Sequence, residues 1–291
     1  MVTKNQKDFL EGAMKLIIHD VLAKKELKSL DETFVDEKVK LFLAKHKKIV
    51  DKLEKAKYSE FQRSKEHEQL IKSIRAGLRE VYGVFIMENY KKRFELLKEL
   101  RKNPSLENHN NILALHKSSQ ERLPYYLMVY KKIFAITGPP TRIVDFACGL
   151  NPFSYSYISS LGYKPEYLVC DLALKDLEFI QEYFKIMKIK GAIQKVDLVK
   201  ENLNKLAADS DLVFLFKTLD SLEAIKWNVS EQVIKEIKAK HIIVSFSTKS
   251  LGGKKPIKKE KRAWFERLCK KLGYKTESFE IPNEIFYVLT K

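Results

Sequence analysis

Cysteine is scarce: Cys148, Cys170 and Cys269 are the whole complement. Three scattered thiols make neither a disulfide framework nor a zinc cluster, and none pairs with a histidine at metal-ligand spacing. No proline precedes Pro104, so nothing in the first third interrupts a helix through that residue. No run of about 18 apolar residues occurs, which excludes a membrane-spanning helix of ordinary length. The opening Met1-Val-Thr-Lys-Asn-Gln-Lys-Asp8 lacks a signal peptide's apolar core. The expectation is a soluble, cytoplasmic protein with no metal and no membrane partner. Acidic residues are also short: 38 Asp and Glu stand against 55 Lys and Arg, for a net charge of +17 at pH 7. Such an excess points to a polyanion, whether RNA, DNA or an anionic membrane, with nucleic acid favoured. Lysine enrichment from genome composition or heat adaptation is the alternative. Finally, no G-x-G-x-x-G is present, so the generic dinucleotide signal is missing.

The helical signal covers residues 1 to about 107. Phe9, Leu10, Ala13, Met14, Ile17, Val21 and Leu22 recur at helical spacing. Val35, Val39, Phe42, Leu43, His46, Val50 and Leu53 form a second such run, and Leu70, Ile74, Leu78, Val81, Tyr82 and Phe85 a third. His46, on an apolar stripe, is expected to be a core or boundary residue rather than a ligand. The polar stretch Lys102-Asn-Pro-Ser-Leu-Glu-Asn-His-Asn-Asn111 marks a domain boundary, giving a helical domain over 1–107 and a second domain over 108–291. Ser118 and Glu121 have capping-box spacing, which predicts a helix start at Ser118. Pro124 then predicts a late start or a kink.

From Arg142 the pattern alternates. Strands are predicted at Arg142–Phe146, Tyr167–Asp171, Ala192–Asp197, Leu212–Phe216, His241–Phe246, Lys275–Ile281 and Ile285–Leu289. Helices are predicted at 152–161, 174–188, 199–208, 222–239 and 259–272. Continuous apolar strands such as Leu212-Val-Phe-Leu-Phe216 imply a sheet covered on both faces. The last two strands, joined by Pro282-Asn-Glu284, must form a hairpin. This predicts an α/β fold with a seven-stranded, Rossmann-like sheet of the class I methyltransferase kind, preceded by an all-helical domain. That assignment is an analogy between folds and says nothing of chemistry by itself.

In such a sheet the ligand lies across the carboxyl ends of the strands. The turn Ala147-Cys148-Gly149 follows the first strand, and glycine there permits close approach of a ligand to the backbone. Cys148 has the alternatives of nucleophile and buried packing residue, with packing favoured. Asp171 ends the second strand, where a carboxylate can accept from ribose hydroxyls. Asp197 ends the third, within reach of an adenine amino group, and Asp145 lies inside the first strand near the turn. Each aspartate has helix capping as its plainer role. Lys217 ends the fourth strand, where a cation suits RNA phosphate or the target base, with a solvated strand-end lysine as the alternative. The basic run containing Lys254, Lys255, Lys258 and Lys259 is a candidate phosphate contact, with a solvated face as the alternative.

Six segments then resemble one family. They are His116-x-Ser-Ser-x-Glu-Arg-Leu123, Val144-Asp-x-Ala-Cys-Gly-Leu-Asn-Pro152, Cys170-Asp171, Val196-Asp-Leu198, Phe216-Lys-x-Leu-x-x-Leu-Glu223 and Val244-Ser-Phe-x-Thr-Lys-Ser-Leu-Gly-Gly253, followed by Ala263-Trp-Phe-Glu266. Together they resemble the aminoglycoside-resistance 16S rRNA (guanine-N7) methyltransferases. The resemblance implies S-adenosyl-L-methionine as cofactor and the small ribosomal subunit with its 16S rRNA as partner. It implies that Arg122 pairs with the cofactor carboxylate, that the Gly149 turn meets its methionine part, Asp171 its ribose and Asp197 its adenine. By motif position His116, Ser118, Asp145, Ala147, Leu172 and Leu198 complete the cofactor contacts. Lys217 and Lys249 would serve catalysis on the target-base side, and the helical domain would dock on the ribosome. A monomer is expected. The segment after Gly253 departs from the family, as do Lys249, where arginine is commoner, and Pro124. These departures sit on the substrate side. Other rRNA or tRNA targets, a non-catalytic RNA-binding assembly factor and a nicotinamide-dependent oxidoreductase stay open as alternatives.

Overall fold

The computed structural model describes residues 4–28, 30, 32–249, 257 and 262–291. They form two compact units, Met1–Val84 and Phe85–Lys291. Among the described residues no helix is long and apolar enough to cross a membrane.

The first unit is helical, with helices at Lys4–Leu22, Glu32–Ala44, Lys47–Lys55, Tyr58–Phe61 and Lys65–Val81. Its core includes Ile17, Val21, Val35, Val39, Leu53, Phe61, Leu70, Ile74 and Leu78. The second predicted apolar run is two helices rather than one. His46 stands between them, its Nδ1 2.7 Å from the Phe42 carbonyl and its ring stacked on Phe42 at 3.9 Å. The break changes the phase, so Ile49 is buried where the unbroken period would bury Val50.

The division between units differs from the expected one after residue 107. Helices Arg93–Lys102 and Leu106–Leu113 bury Leu97, Leu100, Ile112 and Leu113 in the same core as sheet residues Ile143, Tyr167 and Phe214. The turn at Asn103-Pro104 therefore separates two helices of one unit.

The sheet strands are β1 Arg142–Phe146, β2 Glu166–Asp171, β3 Gly191–Lys195, β4 Leu212–Phe216, β5 His241–Ser247, β6 Lys275–Ile281 and β7 Glu284–Thr290. Their order is β3-β2-β1-β4-β5-β7-β6. β1 to β5 are parallel, while β7 runs antiparallel to both β5 and β6. Successive side chains point to opposite faces, and both faces are buried. Ile143, Leu212, Phe214 and Ile243 enter one core; Val144, Val213, Leu215 and Ile242 enter the other. This double burial is why these strands carry unbroken apolar runs.

Several predicted elements shift for local reasons. β3 stops at Lys195, so Asp197 lies in the following turn rather than on a strand end. The helix predicted over 199–208 is only Leu203–Ala207, because Asn202 caps it by accepting the Lys205 N–H. The helix predicted over 222–239 is two, Leu219–Ile225 and Val229–Glu236. Asn228 breaks it in a left-handed conformation, and the Glu223 carboxylate accepts the N–H groups of Asn228 and Ser230 at 2.7 and 2.8 Å. The helix predicted to start at Ser118 begins at Lys117, with His116 in the capping position. Ser118 Oγ lies 2.9 Å from His116 Nδ1 instead of capping. Pro124 sits in a short 3-10 segment, Leu123–Tyr125, between that helix and Tyr126–Thr137.

Candidate functional site

The carboxyl ends of β1, β2, β4 and β5 and the start of β7 bring the predicted residues to one edge of the sheet. At the tip of β1, Ala147 and Gly149 both take positive φ, 52° and 49°. A Cβ on Gly149 would lie 3.0 Å from His116 Nε2. The turn therefore needs glycine both for its conformation and for space. Asp171, at the tip of β2, holds this turn: its Oδ2 accepts the Gly149 N–H at 3.0 Å and its Oδ1 the Ala173 N–H at 3.1 Å. Burial pushes its carboxyl up, and the backbone N–H groups draw it back down. Leu172 beside it is half-buried.

Asp145 is 1% exposed. Its Oδ2 accepts from Asn151 Nδ2 and the Tyr167 hydroxyl, each at 2.8 Å, while its Oδ1 has no hydrogen-bond partner. Burial raises its pKa to about 7 against the lowering effect of those two donors. Asp197 Oδ1 accepts the Val199 N–H at 3.0 Å, and its carbonyl accepts from Lys200 and Glu201. It thus performs the turn-capping role. Leu198 packs its side chain into the core.

Arg122 is 1% exposed and is held by the protein itself. Its Nε donates to Glu284 Oε2 at 3.1 Å and its Nη2 to Glu284 Oε1 at 2.7 Å, a two-pronged pairing. Its Nη1 donates to Asn151 Oδ1 at 3.2 Å and the Tyr126 hydroxyl at 3.3 Å. Glu284 also accepts from Ser245 Oγ at 2.5 Å and lies 3.6 Å from Lys217 Nζ. Lys217 in turn donates to Glu121 Oε2 at 2.7 Å. The result is an alternating chain of charges, Arg122–Glu284–Lys217–Glu121. His116 sits beside it; burial, then the charges of Arg122 and Lys217, lower its pKa to about 3. Cys148 is buried and its thiol is pushed well up by that burial, so it is a packing residue rather than a nucleophile.

Lys249 is exposed beyond β5, and no contact among the described residues links it to Lys217. Lys254, Lys255, Lys258 and Lys259 lie outside the described residues. Sequence reasoning missed Glu284, Tyr126 and Tyr167, and gave Asn151 and Glu121 no site role beyond membership of the family motifs and, for Glu121, a capping position. Glu284 carried one signal: an acid opening the apolar strand Glu284-Ile-Phe-Tyr-Val-Leu-Thr290 must be paired if that strand is buried.

The family model for "Ribosomal RNA methyltransferase (FmrO)" matches residues 53–288. A 16S rRNA (guanine(1405)-N(7))-methyltransferase of Frankia casuarinae is 26% identical over 231 residues, 77% of this chain and 80% of that protein. One from Proteus mirabilis is 30% identical over 204 residues, 64% of this chain and 70% of that protein. Among solved structures, the 16S rRNA methyltransferase RmtF in complex with S-adenosyl-L-homocysteine superposes with a TM-score of 0.74 at 21% identity, covering 96% of this chain and 98% of that one. The 16S rRNA methylase RmtB gives 0.69 at 21% identity over 96% of this chain and 98% of its own. These two likenesses show that the fold is shared.

Proposed function

This chain belongs to the ribosomal RNA methyltransferase (FmrO) family, and from that membership we propose that it transfers a methyl group from S-adenosyl-L-methionine to guanine N7 of 16S rRNA in the small ribosomal subunit. The observation that carries the reading is the Gly149 turn clamped by Asp171 at the carboxyl edge of the sheet. The residues present fit the cofactor. Asp171 spends one lone pair of each oxygen on a backbone N–H. A carboxylate has about four such sites, so others remain for ribose hydroxyls. The unpartnered Oδ1 of Asp145 lies near the same turn and suits a cationic amino group. Arg122 would meet the cofactor carboxylate only by sharing its guanidinium with Glu284.

When bound, the cofactor supplies an electrophilic methyl group on a sulfonium. Guanine N7 carries a free lone pair, so the chain need provide no general base. With a pKa near 3, His116 stays neutral and orients the turn, to which its ring is adjacent. Lys217, on the strand beside β1, faces the target-base side, and Lys249 serves the RNA. The work of the site is in-line positioning and exclusion of water, with the guanine turned out of its helix. The first unit exposes Lys15, Lys24, Lys47 and Lys48 and would dock on rRNA phosphates. The chain acts as a cytoplasmic monomer without a metal.

The test offers tritiated S-adenosyl-L-methionine with small subunits, naked 16S rRNA or tRNA, and maps the labelled nucleotide. Label on a 16S guanine is the expected result; label on tRNA alone overturns the assignment. Asp171→Ala is expected to abolish calorimetric cofactor binding, and wild-type affinity in that variant would remove Asp171 from the site.

A further inference from the structure

We propose that Glu121 and Lys217 together recognise the Watson–Crick edge of the target guanine, with Glu121 as a specificity-determining residue. The inference rests on the methyltransferase reading above and names the groups that choose the base. Lys217 stands at the tip of β4, the neighbour of β1 with its Gly149 turn. Its backbone is left-handed, with φ 56°, and is locked there because its N–H donates to both the carbonyl and the hydroxyl of Ser245 at 3.0 Å. Its ammonium then has two carboxylates beside it. Glu284, at 3.6 Å, is 1% exposed and committed to Arg122 and Ser245. Glu121, at 2.7 Å, has a side chain 30% exposed, against 8% for Lys217. Glu121 is therefore the outward end of the charge chain. Its Oε2 is fixed by the lysine, and its Oε1 has no hydrogen-bond partner among the described residues.

A carboxylate only accepts, and an ammonium only donates. Guanine presents N1–H and N2–H donors side by side with the O6 acceptor next to them. One carboxylate and one ammonium held 2.7 Å apart match that order: Glu121 takes the two donors and Lys217 reaches O6. N7 lies on the adjacent edge, beside O6 but outside the N1–H and N2–H pair, and stays free for methyl transfer. Adenine places an acceptor, N1, where guanine has N1–H, so it sets a lone pair against the carboxylate. The pair thus selects guanine by its edge, as expected for a base turned out of its helix. Balancing the charge of Lys217 is the structural role Glu121 would have in any case. The test must therefore register the base and not only the fold.

The experiment uses the full chain and small subunits reconstituted with 16S rRNA carrying guanosine or inosine at the mapped target. Inosine keeps N1–H, O6 and N7 and lacks only the 2-amino group. Wild type is expected to lose about tenfold to a hundredfold in kcat/KM on inosine. Glu121→Gln is expected to lose a similar factor on guanosine and little more on inosine, with cofactor affinity within about twofold of wild type. Glu121→Asp should fall between. If Glu121→Gln discriminates guanosine from inosine as strongly as wild type, or if wild type is indifferent to the 2-amino group, the proposal is overturned. Should wild type label no small-subunit guanosine at all, the underlying reading fails first, and that result is distinct from either of these.

Discussion

Glu284→Ala removes the centre of the buried charge chain. Glu284 and Arg122 are each 1% exposed, and the two bonds between them measure 2.7 and 3.1 Å. The substitution leaves the guanidinium of Arg122 with only neutral partners, Asn151 and Tyr126. Ser245 loses its acceptor as well, while Lys217 keeps Glu121. Breaking a buried pair from one side costs about 3–5 kcal/mol, because the remaining charge is uncompensated. For a unit of roughly 200 residues each kcal/mol moves Tm by about 2–4 °C, so the expected drop is about 6–20 °C. Differential scanning calorimetry of the full chain reads it directly. Glu284→Gln keeps the shape and some hydrogen bonds and should fall between. The double variant Arg122→Met, Glu284→Leu should recover most of the loss, since apolar replacement of a whole buried pair is often neutral. A Glu284→Ala Tm within about 2 °C of wild type would refute the reasoning, as it would mean that water already compensates both charges.

Two further perturbations test the turn and the buried acid. Gly149→Ala places a Cβ 3.0 Å from His116 Nε2 at a φ of 49°. The His116 ring is itself held by Ser118 and stacked on Phe85 at 5.5 Å, so it cannot easily give way. The left-handed conformation adds about 1–2 kcal/mol. A folded protein with at least tenfold weaker cofactor binding by calorimetry is expected, and unchanged affinity would contradict the close approach assigned to this turn. Asp145 has its pKa raised by burial from 3.8 to about 7. The native state then holds a proton that the unfolded chain has released, so this group's contribution to stability falls as pH rises from about 4 to about 7. The slope is at most about 1.4 kcal/mol per pH unit. Asp145→Asn should flatten that part of a denaturation-versus-pH curve, and an identical curve would show that Asp145 is ionised throughout.

Much of the sheet was legible because burial on both faces imposes a composition that local sequence displays. β1, β4 and β6 fall where the apolar runs and turns predicted them. The Gly149–Asp171 relation was legible in kind, since both lie at strand ends of one βαβ unit. What escaped depends on specific side-chain partners, some near and some distant in the chain. The predicted helix over 222–239 failed because a side chain, Glu223, caps a break that no periodicity reveals. For Arg122, the partner within the protein, Glu284, was not legible. Its carboxylate stands 162 positions away, on a strand whose antiparallel return alone brings it back to β5.

By itself, the sequence determined most strands, the doubly covered sheet, and Asp171 and Gly149 at its carboxyl edge, because periodicity, propensity and turn chemistry act over a few residues. Only the tertiary structure decided which charges meet. Arg122, Lys217, Glu121 and Glu284 come from helix, strand tip, helix and hairpin. Buried charges must find opposite partners wherever the fold brings them close; a local pattern can flag that Glu284 needs a partner, but not which residue supplies it.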